Sequence, residues 1–291
     1  MKVNNEQSLD VKNKPQRVVV IGGNGFIGKA IIACLVKANI PVLSLSSKEV
    51  DLSNQQSIEV MGSLVKSTDS IVMLSAITPD KGKGITTFNA NIAMMANLVA
   101  ALKISGCAHF VYFSSDAVYS PHSAYVNENT SAAPEDLYGL MHRTREIMGK
   151  DIVAPYLILR PTLVYGHGDT HNAYGPNRFI GSALSNGRIS LFGGGEELRD
   201  HISVEDVADI TSLCLINRGE GILNLATGNS TSFYEVASLV AKNLLNIQVE
   251  KSVRQNPIWH RHFDIANLVK RFPKICFKSL SEYIAHSINK K

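Results

Sequence analysis

Hydrophobic positions in the first half of the chain alternate between short apolar runs and stretches with helical spacing. The β-branched run Val18–Ile21 is closed by Gly22 and Gly23, which is typical of a buried parallel strand. Apolar residues then recur at helical spacing from Ile27 to Ala38. The same reasoning predicts strands at 41–45, 71–74, 109–113 and 156–159 and helices around 57–66 and 88–102. Strands that alternate with helices form βαβ units, so the pattern predicts an α/β fold with a doubly wound parallel sheet.

A glycine loop joins the first predicted strand to the first predicted helix. Gly22, Gly25 and Gly28 form a GxxGxxG motif there. Glycine allows the backbone to turn tightly and approach a pyrophosphate, and the helix N-terminus offers N–H donors to the phosphates. The motif therefore predicts a Rossmann-type dinucleotide site. The loop and the end of the third strand supply candidate cofactor-binding residues, namely Gly22, Gly25, Phe26, Ile27, Gly28, Leu74, Ser75 and Ala76.

The end of the second predicted strand bears on the choice of cofactor. It reads Ser46-Ser47-Lys48, and the first carboxylate is Glu49. Sites for NAD usually carry an acidic residue here, which accepts the ribose 2′-OH. Two hydroxyls and a cation suit a 2′-phosphate better, so we favour NADP(H) over NAD(H), with Lys29 as a further candidate cation. The alternative is that Lys48 is a solvated loop lysine and either cofactor binds. Asp51 and Leu52 are expected beneath the adenine.

The sequence pattern changes after about residue 160, where glycine-rich loops separate short predicted helices and strands. We expect residues 1–16 to form a polar tail and residues 17–165 a Rossmann dinucleotide-binding domain. Residues 166–291 are expected to form mainly a smaller substrate-binding lobe, with part of the chain returning to the first domain.

Composition excludes several classes of protein. Hydrophobic residues make up 45% and charged residues 19% of the chain, and the net charge of +4 is dispersed along it, so no nucleic-acid partner is expected. No apolar run approaches the ~18 residues of a membrane helix, so no membrane partner is expected either. Four widely spaced cysteines and a polar N-terminus without a signal peptide indicate reduced, structural thiols and a cytoplasmic protein.

Five motifs occur in the order typical of one known family. They are GGNGFIG at Gly22–Gly28, FVYFSSDAVY at Phe110–Tyr119, YG at Tyr138-Gly139, LRPTLVYGHGD at Leu159–Asp169 and LRDHISVEDVAD at Leu198–Asp209. With them the chain resembles the extended short-chain dehydrogenase/reductase family of nucleotide-sugar epimerases, dehydratases and reductases. The resemblance implies that Ser115 polarises the substrate oxygen and that Tyr138 performs the proton chemistry.

The chain departs from the family pattern YxxxK, because His142 stands where the family has lysine. The family's lysine holds the nicotinamide ribose and lowers the pKa of the tyrosine. His142 lies on the same helical face as Tyr138 and can reach the same place. A neutral imidazole could bind the ribose, whereas a protonated one would also act on the tyrosine. Arg143 and Arg145 are nearby cations that could share the role. A working variant, a slow enzyme and a cofactor-binding regulatory protein without catalysis all remain open.

The residues after Ser115 separate the family's reactions. The dehydratases carry an Asp-Glu pair where this chain has Asp116-Ala117, so dehydration is disfavoured. The GDP-fucose synthase type uses a cysteine at the position of Asp116, which disfavours combined epimerisation and reduction. A 4-keto reductase and a 4-epimerase with retained NAD remain. The short stretch between Leu45 and Asp51 and the NADP(H) preference favour the reductase.

The resemblance also implies a nucleotide-sugar substrate and contacts to it. Arg199 is expected at the nucleotide diphosphate, with Arg261 as a second phosphate contact, and Asn177 and Arg178 fall in the family's substrate loop. The alternative for Arg199 is a structural ion pair with Asp200 or Asp206.

Two further expectations follow from the resemblance. His167, Asp169 and His171 invite a metal interpretation, but the family's equivalent loop binds substrate without metal, so no metal is expected. A homodimer is expected through the helices carrying Phe88–Leu102 and Tyr138–Met148.

Overall fold

The computed structural model describes residues 14–169, 174–255 and 257–289. The strands are β1 (Val18–Ile21), β2 (Val42–Leu45), β3 (Ser70–Met73), β4 (His109–Phe113), β5 (Tyr125–Val126), β6 (Tyr156–Pro161), β7 (Leu163–Tyr165), β8 (Arg188–Phe192), β9 (Leu198–Ser203), β10 (Gly221–Leu225), β11 (Ser230–Ser232), β12 (Gln248–Ser252) and β13 (His262–Phe263). The α-helices are α1 (Phe26–Lys37), α2 (Ser57–Leu64), α3 (Ile85–Ser105), α4 (Leu137–Met148), α5 (Pro176–Asn186), α6 (Val204–Ile216), α7 (Phe233–Lys242), α8 (Ala266–Arg271) and α9 (Leu280–Asn289).

A six-stranded parallel sheet with the order β10-β6-β4-β3-β1-β2 forms the core. Successive β1 side chains enter opposite layers: Val18 and Val20 pack in the layer of α1 and α6, while Val19 and Ile21 pack in the layer of α2 and α3. All four are buried because helices cover both faces of the sheet. The predicted α/β fold with a doubly wound parallel sheet is confirmed.

Smaller sheets accompany the main one. They have the orders β11-β9-β7, β12-β8 and β13-β5, and a separate apolar cluster joins α5, α7, α9 and β8. Strand β10 forms one edge of the large sheet, and α6 packs against α1. The domain boundary at residue 165 stays a prediction.

Helix α3 differs from its predicted form in the face that it buries. Helical spacing of its apolar residues predicts a buried face with Met95, Ala96 and Val99. Ala96 is exposed instead, and Met95 and Val99 are buried together with Asn91 and Leu98. Asn91 is buried because its side-chain amide holds the backbone of Ile77 through hydrogen bonds of 2.9 and 3.0 Å. A buried amide that makes hydrogen bonds therefore shifts the buried face of the helix away from the face that hydrophobicity alone predicts.

Within the described ranges, α3 is also long and apolar enough to span a membrane, with a mean hydropathy of 1.4. This corrects the expectation that no segment approaches that length, since alanine, methionine and leucine outweigh its asparagines and its lysine. The helix packs against α2 and α4. A core helix of a water-soluble protein meets the same criterion.

All four cysteines are free thiols. Cys107 and Cys214 are buried and Cys34 is half-buried, but Cys276 is exposed. The structural role expected for Cys276 is therefore wrong, because the side chain lies outside the apolar packing of its neighbours.

Candidate active site

The glycine loop lies at the carboxyl end of β1, where α1 begins. Gly22 has φ +90°, and a Cβ there would lie 3.0 Å from the backbone nitrogen of Ser75. A Cβ on Gly28 would lie 2.5 Å from the Gly22 carbonyl oxygen, so α1 can approach the loop only with glycine at this position. Gly25 provides no side-chain cap for α1, and the loop thus presents the helix N-terminus without a side chain over it. This backbone cradle fits the pyrophosphate of a dinucleotide.

The end of β3 lies beside that loop. Leu74, Ser75 and Ala76 are all half-buried, and the Leu74 N–H donates to the Ile21 carbonyl at 2.9 Å. The amide of Asn91 fixes the backbone just beyond them. The structure therefore brings these predicted cofactor residues to the edge that carries the glycine loop.

The end of β2 has a carboxylate to which the sequence analysis gave no role. Glu49 folds back over the strand end and accepts the Ser46 N–H at 2.8 Å and the Ser46 hydroxyl at 2.5 Å. These hydrogen bonds lower the pKa of Glu49, which keeps it ionised. Ser47 and Lys48 are exposed next to it. A cation and a carboxylate thus both stand where the cofactor ribose is expected.

Two further predicted residues follow β2. Asp51 is exposed, and its carboxylate accepts the Ser53 N–H at 3.0 Å and the Ser53 hydroxyl at 2.7 Å. Leu52 is 3% exposed and packs among the residues between α2 and α3. Both help to shape the turn that leads into α2.

Ser115 and Tyr138 come together from different elements. Ser115 follows β4 and caps a short 3₁₀ turn, Asp116–Val118, by accepting the Ala117 N–H at 3.2 Å. Gly139 packs directly on the Ala117 carbonyl, which lets the first turn of α4 sit against this 3₁₀ turn. The Ser115 side chain then lies close enough to the Tyr138 phenol to lower its pKa. The predicted proton-transfer pair therefore exists as a pair in the structure.

Burial and the nearby charge of Asp116 raise the pKa of Tyr138 to about 12, while Ser115 and Arg145 oppose that rise. The phenol is consequently protonated at neutral pH. In this state it can donate a proton to a substrate oxygen.

His142 lies behind Tyr138, with its ring edge-on to the phenol at a centroid distance of 4.7 Å. The imidazole is 3% exposed, and its Nδ1 lies 2.7 Å from the Tyr112 hydroxyl. Burial and the charge of Arg145 lower the pKa of His142 to about 3. The ring is therefore neutral near pH 7, which favours the neutral imidazole over the protonated one among the two alternatives.

The two arginines of α4 differ in their surroundings. Arg143 is half-buried and donates to Glu146 at 3.1 Å. Arg145 is fully buried, and its Nη2 donates to the Ser75 carbonyl at 2.9 Å. Arg145 thus touches the predicted cofactor edge, whereas Arg143 is engaged by a carboxylate of its own helix.

A buried ionic network fixes α4 to the sheet. The Glu146 carboxylate accepts two hydrogen bonds of 2.8 Å from Arg160 on β6 and one of 2.7 Å from Ser114, which follows β4. Arg160 also lies over the Tyr119 ring at 4.9 Å. Since Ser114 precedes Ser115, this network positions the hydroxyl pair.

A cleft of about 750 Å³ lies among residues of the C-terminal half of the chain. Its lining combines aromatic and charged side chains: Tyr174, Phe192, Glu197, Arg199, Phe233, Arg254 and Trp259. Aromatic faces can stack on a nucleobase, and guanidinium groups can bind a diphosphate.

Arg199 links the cleft to the hydroxyl pair. Its guanidinium lies 3.2 Å from the Asp116 carboxylate and 3.3 Å from the Glu197 carboxylate. The alternative of an ion pair with Asp200 or Asp206 is wrong. Asp200 accepts instead from the backbone of the β10–β11 turn, where burial raises its pKa to about 6, and Asp206 pairs with Lys278.

Three other predicted substrate residues are placed differently. Arg261 is 7% exposed and donates to the carbonyls of Asp116 and Ser120 at 3.4 and 3.0 Å, close to Arg199. Asn177 is engaged by Gly166 and Asp169, and Arg178 is exposed over the Tyr174 ring. Arg261 thus joins the Arg199 site, while Asn177 stabilises its own loop.

The sequence analysis missed several residues of this region. Tyr112 was seen only as a strand residue, and Asn91 did not stand out in an apolar helix. Arg254 and Glu197 are far apart in sequence, so their 3.9 Å approach follows from the pairing of β8 with β12. Trp259, the chain's single tryptophan, was the available signal for the cleft.

In the described part of the chain, no three histidine, cysteine or acidic side chains lie close enough together to hold a metal ion. His167 instead packs against the Tyr283 ring at 5.4 Å. His171 lies outside the described residues.

A family model for the NAD dependent epimerase/dehydratase family matches residues 18–226. The chain belongs to this family. The expectation of an NAD(P)-dependent enzyme of the nucleotide-sugar epimerase, dehydratase and reductase type is therefore confirmed at that level.

Relatives within the family carry different activities. GDP-6-deoxy-D-talose 4-dehydrogenase of Aggregatibacter actinomycetemcomitans is 26% identical over 262 residues, which are 87% of each chain. Among solved structures, the GDP-L-fucose synthetase of Naegleria fowleri bound to NADP has a TM-score of 0.82 at 17% identity, covering 95% of this chain and 94% of that one. The UDP-glucose 4-epimerase of Thermus thermophilus in complex with NAD has a TM-score of 0.76 at 21% identity, covering 94% and 98%. These structures share the fold, and their cofactors differ.

Proposed function

We propose that this family member reduces the 4-keto group of a nucleotide-activated sugar, with Tyr138 as the acid and Ser115 polarising the carbonyl. The observation that carries the proposal is the proximity of Ser115 to Tyr138, next to Asp116, which pairs with Arg199 of a cleft rich in arginine and aromatic residues. The reduced nicotinamide, when bound, would supply a hydride, that is one hydrogen nucleus with two electrons, to the carbonyl carbon. The proton that completes the alcohol comes from the Tyr138 hydroxyl.

The protonation state of Tyr138 supports reduction as the forward direction. A phenol with a pKa of about 12 holds its proton at neutral pH and can give it to a developing alkoxide. Oxidation would instead require the phenolate. The 4-dehydrogenase relative supports position 4 of the sugar as the reacting carbon.

Arg199 and Arg261 support a nucleotide diphosphate as the handle of the substrate. Both lie next to Asp116, which directly follows Ser115. A diphosphate held by these two side chains would place the attached sugar close to the hydroxyl pair. Phe192 and Trp259 are partly exposed in the same cleft and could cover a nucleobase.

For the cofactor we propose NADP(H), on the basis of Lys48. The side chain is exposed at the end of β2 and can bind a 2′-phosphate. The adjacent Glu49 favours NAD(H), because its ionised carboxylate can accept the ribose 2′-OH and repels a phosphate. Retained NAD would also favour the second candidate function, a 4-epimerase.

We further propose a homodimer through α3 and α4. Ile104, Leu140 and Ile147 are 73%, 43% and 51% exposed on these two helices, and such apolar side chains gain from being covered. Sedimentation of the purified protein as a monomer would contradict this arrangement.

The function is tested by mixing the purified protein with NADPH and a panel of 4-keto nucleotide sugars and following NADPH consumption. Replacing Tyr138→Phe should reduce turnover about a hundredfold or more and retain cofactor binding, and Ser115→Ala should reduce it about tenfold. Tyr125→Phe is a matched control, since Tyr125 is an 80% exposed tyrosine on β5.

Each other outcome contradicts the proposal in a recognisable way. Interconversion of two nucleotide sugars with NAD retained throughout would identify the epimerase. Binding of NADPH without turnover of any nucleotide sugar would identify a regulatory protein that binds the cofactor.

A further inference from the structure

Arg145 is a fully buried cation for which the proposed chemistry has so far given no use. It is 0% exposed, its Nη2 donates to the Ser75 carbonyl, and its Nε has no hydrogen-bond partner. Across the described ranges, no carboxylate lies within ion-pair distance of its guanidinium. A buried charge without a counter-ion is unfavourable, so such a group is rare unless something nearby requires it.

The neighbours of Arg145 point to Tyr138. The guanidinium carbon lies 5.2 Å from the centre of the Tyr112 ring, and the Tyr112 hydroxyl contacts His142, whose ring packs against Tyr138. Residues three and four apart share one face of a helix, so Tyr138, His142 and Arg145 form a row along α4. The row ends at Ser75, on the cofactor edge.

His142 cannot provide positive charge in this row. Burial raises the pKa of Tyr112, so its phenol keeps a proton that it can donate to Nδ1 of His142. The neutral ring then carries its own hydrogen on Nε2, which is buried and without a partner.

We infer that Arg145 is the cation that stabilises the negative charge developing on the Tyr138 oxygen, while His142 offers only a neutral hydrogen-bond donor. Arg145 acts through Tyr138 and is in that sense a positioning residue. The inference rests on the proposed function for its consequence in catalysis, but the electrostatic coupling can be measured without a substrate.

The other charged groups near Tyr138 affect its pKa in the direction opposite to that of Arg145. Asp116, from the 3₁₀ turn, and Asp136, at the start of α4, raise the pKa of Tyr138, and Arg145 lowers it. Helix α3, which packs on α4, carries one charged side chain, Lys103, and that lysine pairs with Asp151 beyond the far end of α4. Removing Arg145 therefore leaves Asp116 and Asp136, which raise the pKa of Tyr138, and Asp116 itself is paired with Arg199.

The first experiment measures the ionisation of Tyr138 directly. The protein is prepared with 3-fluorotyrosine, whose more acidic phenol titrates at lower pH, and the fluorine signal missing from Tyr138→Phe is assigned to Tyr138. In Arg145→Met its titration midpoint should rise by about one pH unit, and in Arg145→Lys it should stay near that of the parent protein. Lys150→Met, which removes an exposed charge just past α4, should leave it unchanged.

An unchanged midpoint in Arg145→Met would overturn the inference. So would an equal rise in Arg145→Lys, because the effect would then come from side-chain shape and not from charge. If Arg145→Met does not fold, Arg145→Gln provides the neutral variant, and circular dichroism of each protein confirms that the folded state is compared.

The second experiment uses turnover. In the reductive direction the rate falls as pH rises through the pKa of Tyr138, since the phenol must be protonated. In Arg145→Met this alkaline limb should move to higher pH, and the maximal rate should fall about tenfold because the phenol is a weaker acid. Arg145→Lys should restore both.

The two hypotheses fail in different ways. A shifted fluorine titration without turnover of any nucleotide sugar would contradict the proposed function and support the inference. Turnover that depends on Tyr138 but keeps its pH profile in Arg145→Met would contradict the inference and support the function.

Discussion

Two fully buried arginines, Arg145 on α4 and Arg160 on β6, have opposite electrostatic environments. Arg160 is held by the Glu146 carboxylate through two hydrogen bonds of 2.8 Å. Arg145 meets a backbone carbonyl and the face of an aromatic ring. One charge is neutralised inside the protein, whereas the other remains available to act on a neighbour.

The difference shows that neighbouring residues of α4 have different roles: Glu146 stabilises the fold, whereas Arg145 is available to act on the site. A neutralised pair holds α4 against β4 and β6 and exerts little field beyond itself. A cation without a counter-ion, in an interior of low dielectric constant, strongly lowers the pKa of a phenol nearby. The burial of an arginine is therefore not informative by itself, and its counter-ion shows which of the two roles it has.

The largest expected effect comes from breaking the neutralised pair. Glu146→Gln leaves Arg160 buried without a carboxylate and should lower the free energy of unfolding by about 3–5 kcal/mol. Arg145→Met, in contrast, replaces an unpaired charge by an apolar side chain and should change it by less than about 1 kcal/mol. Urea denaturation of both variants measures the contrast, and similar losses in the two would show that Arg145 is also part of the scaffold.

The next largest effect is the pH dependence of stability that a buried histidine without a counter-ion produces. His201 is 5% exposed, neither ring nitrogen has a partner, and burial together with Arg199 lowers its pKa to about 4. The folded ring stays neutral while the unfolded chain binds a proton below its ordinary value of 6.5, so stability falls as pH drops from 6.5 towards 4. This fall amounts to on the order of 3 kcal/mol for His201.

The variant His201→Phe should flatten that pH dependence, because phenylalanine can pack against Phe233 without titrating. Denaturant midpoints between pH 7 and 4 provide the measurement. His286→Gln, at an exposed position of α9, is the control. The decrease in stability that remains in His201→Phe at low pH should reflect His142, whose lowered pKa acts in the same direction. The raised pKa of Asp200 has the opposite effect on stability.

A smaller effect concerns the ion pair between Arg199 and Asp116, in which a bound phosphate could replace the carboxylate. Asp116 occupies Arg199 at 3.2 Å in the partly open cleft. Asp116→Asn should therefore tighten binding of a nucleoside diphosphate about fivefold, since the carboxylate no longer competes for the guanidinium. Calorimetric titration with GDP and UDP tests this, with Asp151→Asn at the exposed Lys103 pair as the control. Weaker binding in Asp116→Asn would show that Asp116 orients Arg199 instead of competing with the ligand.

The smallest effect is expected where the charges are exposed. Lys48→Met should weaken NADPH binding about threefold and leave NADH binding unchanged, because a solvated lysine contributes little to phosphate binding. Glu49→Gln should improve NADPH binding by a similar factor. If Glu49→Gln weakens NADH strongly and leaves NADPH unchanged, the carboxylate binds the ribose and the proposed preference for NADP(H) is wrong.

Much of the cofactor half could be predicted from local patterns. The β1 run, the glycine motif and the helix after it are contiguous in sequence, and each position has a physical requirement visible in the residue itself. The pairing of Ser115 with Tyr138 followed from resemblance, and their proximity needed Gly139 to let α4 approach the 3₁₀ turn. The face of α3 was predicted incorrectly at Ala96, since hydrophobicity does not reveal that Asn91 has a buried partner.

The sequence by itself determined the parallel sheet and the dinucleotide loop, because these depend on spacing along the chain and on the chemistry of single residues. Resemblance to a family indicated Ser115 and Tyr138 as the hydroxyl pair. Only the tertiary structure decided which charges are neutralised. Glu146 was within reach of Arg143 and Arg145 as well as Arg160, and the distances show that it binds Arg160 and Arg143 and leaves Arg145 unpaired. A pKa depends on burial and on counter-ions brought from distant strands, so the neutral state of His142 could not be read from its place in the motif.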